Sequence, residues 1–212
     1  MNDVKSVFAR LSAEAKGQCD GVLAHIEESE QQAEPALVSA AGTGDSAAWA
    51  VLYRRLYPRL RAYVARRVDA GHVEDMVSET MVRAVRGIES YQPGPAGFDG
   101  WVFGIARRVC ADYHRRRVRL RRQDGVAAGM AEVIEEGRAP GDPAAAADDH
   151  AELRRAFDLL LPGDQQVLEL RVIAGLSVEQ AASVLEKAPG AVRTAQSRAL
   201  GRLRQLIKAH DD

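Results

Sequence analysis

Residues 175–205, GLSVEQAASVLEKAPGAVRTAQSRALGRLRQ, narrow the folds open to this chain more than any other stretch. Their spacing predicts two short helices joined by a three-residue break. Along the second, Val192, Ala195, Ala199, Leu203 and Leu206 recur at helical intervals and form one apolar stripe. Gly190, Arg193, Thr194, Ser197, Arg198, Gly201 and Arg204 occupy the opposite side, with no carboxylate among them. Small residues permit close approach and arginine pairs bidentately with a guanine edge, so this face suits the DNA major groove. The same pattern also describes an ordinary solvated amphipathic helix, and the segment alone leaves both readings open.

The rest of the chain is also helical in character. Its 212 residues suffice for one large domain or two small ones, each with its own core. No strand pattern and no internal repeat emerge, which predicts an all-α fold. No run of 18 apolar residues occurs, so no membrane span is expected. The first residues, MNDVKSVFARLSAEAKG, lack the apolar core and cleavage site of a secretory signal, and a cytoplasmic location is expected. Cys19 and Cys110 belong to no CxxC or Cys/His cluster, so no metal or disulfide framework is indicated. They would form a redox pair only if the N-terminal extension folded back on the first domain.

A net charge of −1 conceals a sharp segregation. Residues 107–122 carry Arg107, Arg108, Arg115, Arg116, Arg117, Arg119, Arg121 and Arg122 against Asp112 alone. Acids then dominate: Asp124, Glu132, Glu135, Glu136, Asp142, Asp148, Asp149 and Glu152, with Arg138 the lone cation. The basic part attracts phosphates and the acidic part repels them. The organisation follows: an N-terminal extension (1–34) with an amphipathic pattern at Val4, Val7, Phe8, Leu11 and Ala15; a helical domain (35–122); a flexible acidic linker (123–147) rich in Gly, Ala and Pro; and a helix-turn-helix domain (148–210). Asp211 and Asp212 form an acidic tip with no assignable role.

Within the first domain, Asp45 is the expected N-cap of a helix presenting Trp49, Leu52, Tyr53, Leu56, Leu60 and Val64 on one side, kinked at Pro58. HVEDMVSETMVRAVRGI predicts a second helix. Val73, Met76, Val77, Thr80, Met81 and Ala84 face inward; Asp75, Ser78, Glu79, Val82 and Arg83 face out, with Glu79 and Arg83 paired at i,i+4. Asp75 and Glu79 lack any nucleophile–base arrangement, which favours a solvated or docking face over catalysis. In YQPGPAGFDGWVFGIARRVCADYHRRRVRLRR, a Pro/Gly loop leads to a helix capped by Asp99. Its core side is Val102, Ile105, Ala106, Val109 and Tyr113. Phe98, Trp101 and Phe103 either offer stacking surfaces for unpaired bases or complete the core.

The order of these parts resembles an alternative RNA polymerase sigma factor of the extracytoplasmic function type, over residues 36–208. VEDMVSETMVRAV resembles the helix that docks on the β′ clamp helices of bacterial RNA polymerase. FDGWVFGIARRVCADYHRRR resembles the −10 recognition and melting element. LPGDQQVLELRVIAGLSVEQAASVLEKAPGAVRTAQSRALGRLR resembles the module that reads the −35 element. The chain departs from that pattern at Ser78, where Gln is usual, at Glu186, where the turn usually has Gly, and at Ala188, where a Ser or Thr N-cap is usual.

The resemblance implies a protein without catalytic residues, metal or cofactor. Its partners would be polymerase core, including the β′ clamp helices and β flap, promoter DNA, and in regulated cases an anti-sigma factor. Asp75, Ser78, Glu79, Val82 and Arg83 would bind polymerase. Tyr91, Gln92, Phe98, Trp101, Arg107, Arg108, Arg115, Arg116 and Arg117 would engage −10 DNA, the 91–101 loop trapping a flipped base. Arg193, Thr194, Ser197, Arg198, Arg202 and Arg204 would meet −35 DNA. The acidic linker would thread the path later taken by RNA, or else simply space the two domains. A helix-turn-helix activator or repressor acting without polymerase is the alternative. An enzyme is disfavoured by scattered histidines and the lack of a phosphate loop, and a sigma antagonist by the arginine-rich helices.

Overall fold

The computed structural model describes residues 34–123 and 148–211, and every regular element among them is helical. Most of the N-terminal extension, with its amphipathic pattern and Cys19, and nearly all of the acidic linker lie outside the described residues. Residues 34–42 form α1. Helix α2, Ser46–Ala65, begins where Asp45 Oδ1 accepts from the amides of Ala47 (2.8 Å) and Ala48 (3.3 Å), as the cap reading expects. It runs on past Pro58 without ending there. Leu52, Leu56, Leu60 and Val64 recur at i,i+4 and are fully buried. Tyr53 is not on that face. It is exposed and stacks on Tyr57 with ring centroids 5.3 Å apart.

A 3₁₀ turn, Ala70–His72, leads into α3, Val73–Gly87. Glu74 and Asp75 in its first turn and Arg86 in its last complement the helix dipole. Val73, Val77, Thr80, Met81 and Ala84 are buried. The loop after the 3₁₀ turn Ile88–Ser90 delivers the chain to α4, Gly97–Gln123. Asp99 does not cap this helix. It lies buried inside the first turn, bonded to Arg55 (2.6 Å) and Arg59 (2.5 Å) on α2.

The second unit comprises α5, Asp148–Asp158, and α6, Pro162–Leu168, with Pro162 at its first turn. A π-type turn, Glu169–Ile173, follows, then α7, Val178–Leu185, and α8, Pro189–Asp211. Helix α7 starts in a capping box: the Gln180 amide donates to Ser177 Oγ and the Ser177 amide to Gln180 Oε1. It ends at Glu186, which adopts φ 55°, the left-handed conformation that Gly takes at lowest cost. The predicted three-residue break is thus present at residues 186–188.

The two units are packed together rather than held only by their tether. Leu170, Ala174, Leu176, Ala181, Val184 and Leu185 join the same buried cluster as Leu56, Val102 and Phe103. Arg59 Nε donates to the Ala174 carbonyl (2.7 Å). Glu169, nearly inaccessible, is bound by Arg66 (3.1 Å) and by Arg67. At the start of α4, Gly97 adopts φ 59° and a Cβ there would lie 2.9 Å from Gln180 Nε2, while one on Gly100 would meet Ala96 Cβ at 3.2 Å and Gln180 Cβ at 3.4 Å. Gly97 thus serves the left-handed backbone at the start of α4 and leaves room for the Gln180 side chain of α7. A smaller core of Phe157, Leu160, Leu168, Ala199, Leu200 and Leu203 belongs to the second unit alone.

Candidate nucleic-acid and polymerase interfaces

Helix α8 has the split surface its sequence predicts. Val192, Ala195, Ala199 and Leu203 are buried, while Arg193, Thr194, Ser197, Arg198 and Arg204 are exposed and Arg202 is half-buried. Gly190 and Gly201 face open space, so nothing on the protein obstructs close approach there. Thr194 Oγ1 donates to the Gly190 carbonyl one turn back (3.0 Å). Although α8 brings no carboxylate to this face, its neighbours bring two. Glu179 of α7 pairs with Arg193 at 2.8 Å, both side chains well exposed. Asp164 of α6 pairs with Arg198 (2.6 Å) and Arg202 (2.9 Å) and is wholly buried. Its hydrogen bond and charge raise the Arg198 pKa above the ordinary guanidinium value.

On the first unit, Tyr91, Phe98 and Trp101 form one aromatic group. Tyr91 meets Phe98 edge-on (5.5 Å, 87°) and Trp101 at 5.1 Å, and Trp49 closes the group from α2. Phe98 and Phe103 are fully buried, so the base-stacking reading is corrected for both rings: they are core. Tyr91 and Trp101 are only partly buried, and Gln92 is exposed. Burial, then the negative charge of Glu34 and Asp99, pushes the Tyr91 hydroxyl pKa up, keeping it a neutral donor.

The basic helix divides likewise. Arg108, Arg115 and Arg116 are exposed, Arg115 bonding Asp112 (2.5 Å). Arg117 is engaged by Asp69 and by Tyr113 Oη (3.2 Å), tying α4 to the turn before α3. Arg107 donates to the Val184 carbonyl of α7 (3.4 Å). The second unit therefore covers part of the surface assigned to −10 DNA.

The outward face of α3 exposes Asp75, Ser78 and Val82. Glu79 and Arg83 pair at 2.8 Å, and Arg83 also reaches Asp112 at 3.2 Å. The Glu79 hydrogen bond raises the Arg83 pKa, whereas Arg115, and after it Arg83, lowers that of Asp112. Sequence reasoning missed Val85, which extends this face and is exposed. Its signal was the i,i+3 step from Val82. Asp164 and Glu169 were missed too, because their arginine partners lie far away in sequence.

Two family models match: Sigma-70 region 2 over residues 52–120 and Sigma-70 region 4 over residues 150–203. The first spans most of α2 to α4, the second the packed core of α5 to α8. Over 180 residues the chain is 33% identical to the ECF RNA polymerase sigma factor ShbA of Streptomyces griseus, covering 82% of this chain and 94% of that protein. This chain belongs to the ECF RNA polymerase sigma factors. BldN of Streptomyces coelicolor is 34% identical over 173 residues, which are 81% of this sigma factor and 64% of BldN. The fold matches that of RpoE from Bartonella quintana, solved with the anti-sigma factor NepR, with TM-score 0.57 at 23% identity, covering 76% of this chain and 96% of that one. Among the described residues, no helix of this sigma factor is long and apolar enough to cross a membrane.

Proposed function

We propose a division of labour within this sigma factor: residues 35–122 dock on core polymerase and engage −10 DNA, and residues 148–210 read the −35 element. The outward face of α8 carries this reading, because arginines, hydroxyls and uncovered glycines lie together on a helix otherwise buried in a helix-turn-helix. On that face Arg193, Thr194, Ser197 and Arg198 meet base edges, while Arg202 and Arg204 lie nearer phosphates.

On α3, Asp75, Ser78, Glu79, Val82 and Arg83, joined by Val85, meet the β′ clamp helices. There Val82 and Val85 supply apolar contact within a charged rim. Tyr91, Gln92 and Trp101 receive the flipped base, with Phe98 as the buried floor beneath them. Arg107, Arg108, Arg115 and Arg116 neutralise phosphates; Arg117 acts chiefly through Asp69 to hold α4 in place. The chain works in the cytoplasm as a regulatory DNA-binding subunit without catalysis of its own. An anti-sigma factor that covers either face would silence it.

Run-off transcription with purified bacterial core polymerase, with and without this chain, tests the reading. A promoter-dependent transcript that requires both proteins is expected. Failure to associate with core, together with tight binding of duplex DNA by the chain alone, would instead mark an independent activator or repressor.

A further inference from the structure

We propose that Asp164 is a positioning residue for promoter readout, a buried anion that fixes the guanidinium groups of Arg198 and Arg202 against DNA. The inference rests on the reading that α8 meets the −35 element.

The Asp164 side chain has 0% exposure, whereas Arg198 and Arg202 retain 52% and 43%. The two cations thus form the boundary between a buried carboxylate and solvent. Arg198 gives its side edge to Oδ1, through Nε (3.2 Å) and Nη2 (2.6 Å). Arg202 gives Nη1 to Oδ2 (2.9 Å). A guanidinium is a rigid planar fork of five N–H groups, so fixing one edge fixes the direction of the others. Among the described residues no hydrogen bond occupies the Nη1 end of Arg198 or the Nε/Nη2 edge of Arg202, and both side chains are about half-exposed, as an incoming base or phosphate requires.

Spacing and charge agree with this role. Residues 198 and 202 are i,i+4 neighbours, so one carboxylate rising from α6 serves both. Two cations against one anion leave a positive charge for DNA. A buried carboxylate that lost its partners would be strongly disfavoured, so neither arginine swings away readily. Ordering the long side chains before binding removes part of the entropic cost of ordering them on DNA. The Arg193–Glu179 pair on the same face is the internal contrast. Both of its members are well exposed and screened, and such a pair fixes little.

The test uses holoenzyme assembled from the full chain and bacterial core polymerase. Open-complex formation is measured on a promoter duplex and on a set with each −35 or −10 base pair replaced. Asp164→Asn is expected to erase about tenfold of discrimination at one or two −35 base pairs, and to leave −10 discrimination unchanged. Asp164→Asn placed on Arg198→Ala/Arg202→Ala should remove nothing further. Glu179→Gln should preserve −35 discrimination while raising affinity slightly. Should Asp164→Asn fail to fold, Arg198→Lys, which keeps the charge but not the fork, should lose discrimination at the same base pairs. A uniform loss across −35 and −10 substitutions would overturn the proposal in favour of a purely structural pair. A uniform gain in affinity would overturn it in favour of simple charge neutralisation. A wild-type holoenzyme indifferent to every −35 substitution would instead overturn the assignment of α8 to DNA.

Discussion

His114 joins the buried side of α4 to the end of α2: its Nε2 lies 2.6 Å from the Arg67 carbonyl. Burial lowers its pKa below 6.5, opposed by the hydrogen bond to Arg67 and aided by the nearby Arg117 charge. Asp69 and Arg67 also face it, the acid raising and the cation lowering its pKa. The unfolded chain therefore binds the proton more readily than the folded one. The stability that neutral His114 provides is complete above its unfolded pKa of about 6.5 and is lost as pH falls through the lower folded value. Denaturant unfolding followed from pH 7.5 to 5 should show this decline, and His114→Gln should flatten it. An unchanged slope in the variant would place the acid sensitivity elsewhere. At Glu186 the left-handed backbone costs roughly 1 kcal/mol, a local penalty that the capping box at the other end of α7 helps to offset.

Among the elements, α3 makes the clearest separation of stability from function. Its buried face needs Val77, Met81 and Ala84, while Val82 and Val85 contribute exposed apolar surface without filling the core. Val82→Asp with Val85→Asp should leave thermal unfolding almost unchanged and weaken core polymerase binding at least about tenfold, read by titration of labelled core. Normal affinity would remove α3 as the docking helix. Helical periodicity made the α7–α8 break, the α8 stripe and the inner face of α3 legible, because each is set by neighbours within two turns. Phe98, Asp99 and Tyr53 were not legible. The ring of Phe98 is covered by Trp49 from α2 and Tyr91 from the preceding loop as well as by Trp101 one turn along its own helix. Asp99 obeys the local rule for a cap, yet Arg55 and Arg59, some forty residues earlier, draw it into the interior. Tyr53 sits only one residue from Leu52, but a 100° step carries it from the core to the surface.

At the scale of the whole molecule, the packing of the two units sets a geometric condition on function. The −35 and −10 elements lie about 25 base pairs apart, roughly 85 Å along the duplex at about 3.4 Å per pair. With α7 against the first turn of α4 and Arg107 bonded to Val184, the faces proposed for −35 and −10 DNA belong to one packed body, too small to meet both elements at once. On the proposed division of labour the units separate at the promoter, breaking Glu169 from Arg66 and Arg67 and Arg59 from Ala174. The 24 residues 124–147 can span about 80 Å when extended, enough for separation without unfolding either unit. On that same division of labour, a polymerase that holds α3 and the second unit at separate places would supply the free energy for opening. Charge segregation along the chain was visible in the sequence; this closure was not, since it depends on single long-range pairs such as Glu169 with Arg67. The most direct measurement is the distance between spin labels at Leu120 on α4 and Ala191 on α8, in a Cys19→Ser background, for the free chain and for promoter-bound holoenzyme. The account predicts one short distance in the free chain and a lengthening by tens of ångströms in the complex; the same distance in both states would contradict it.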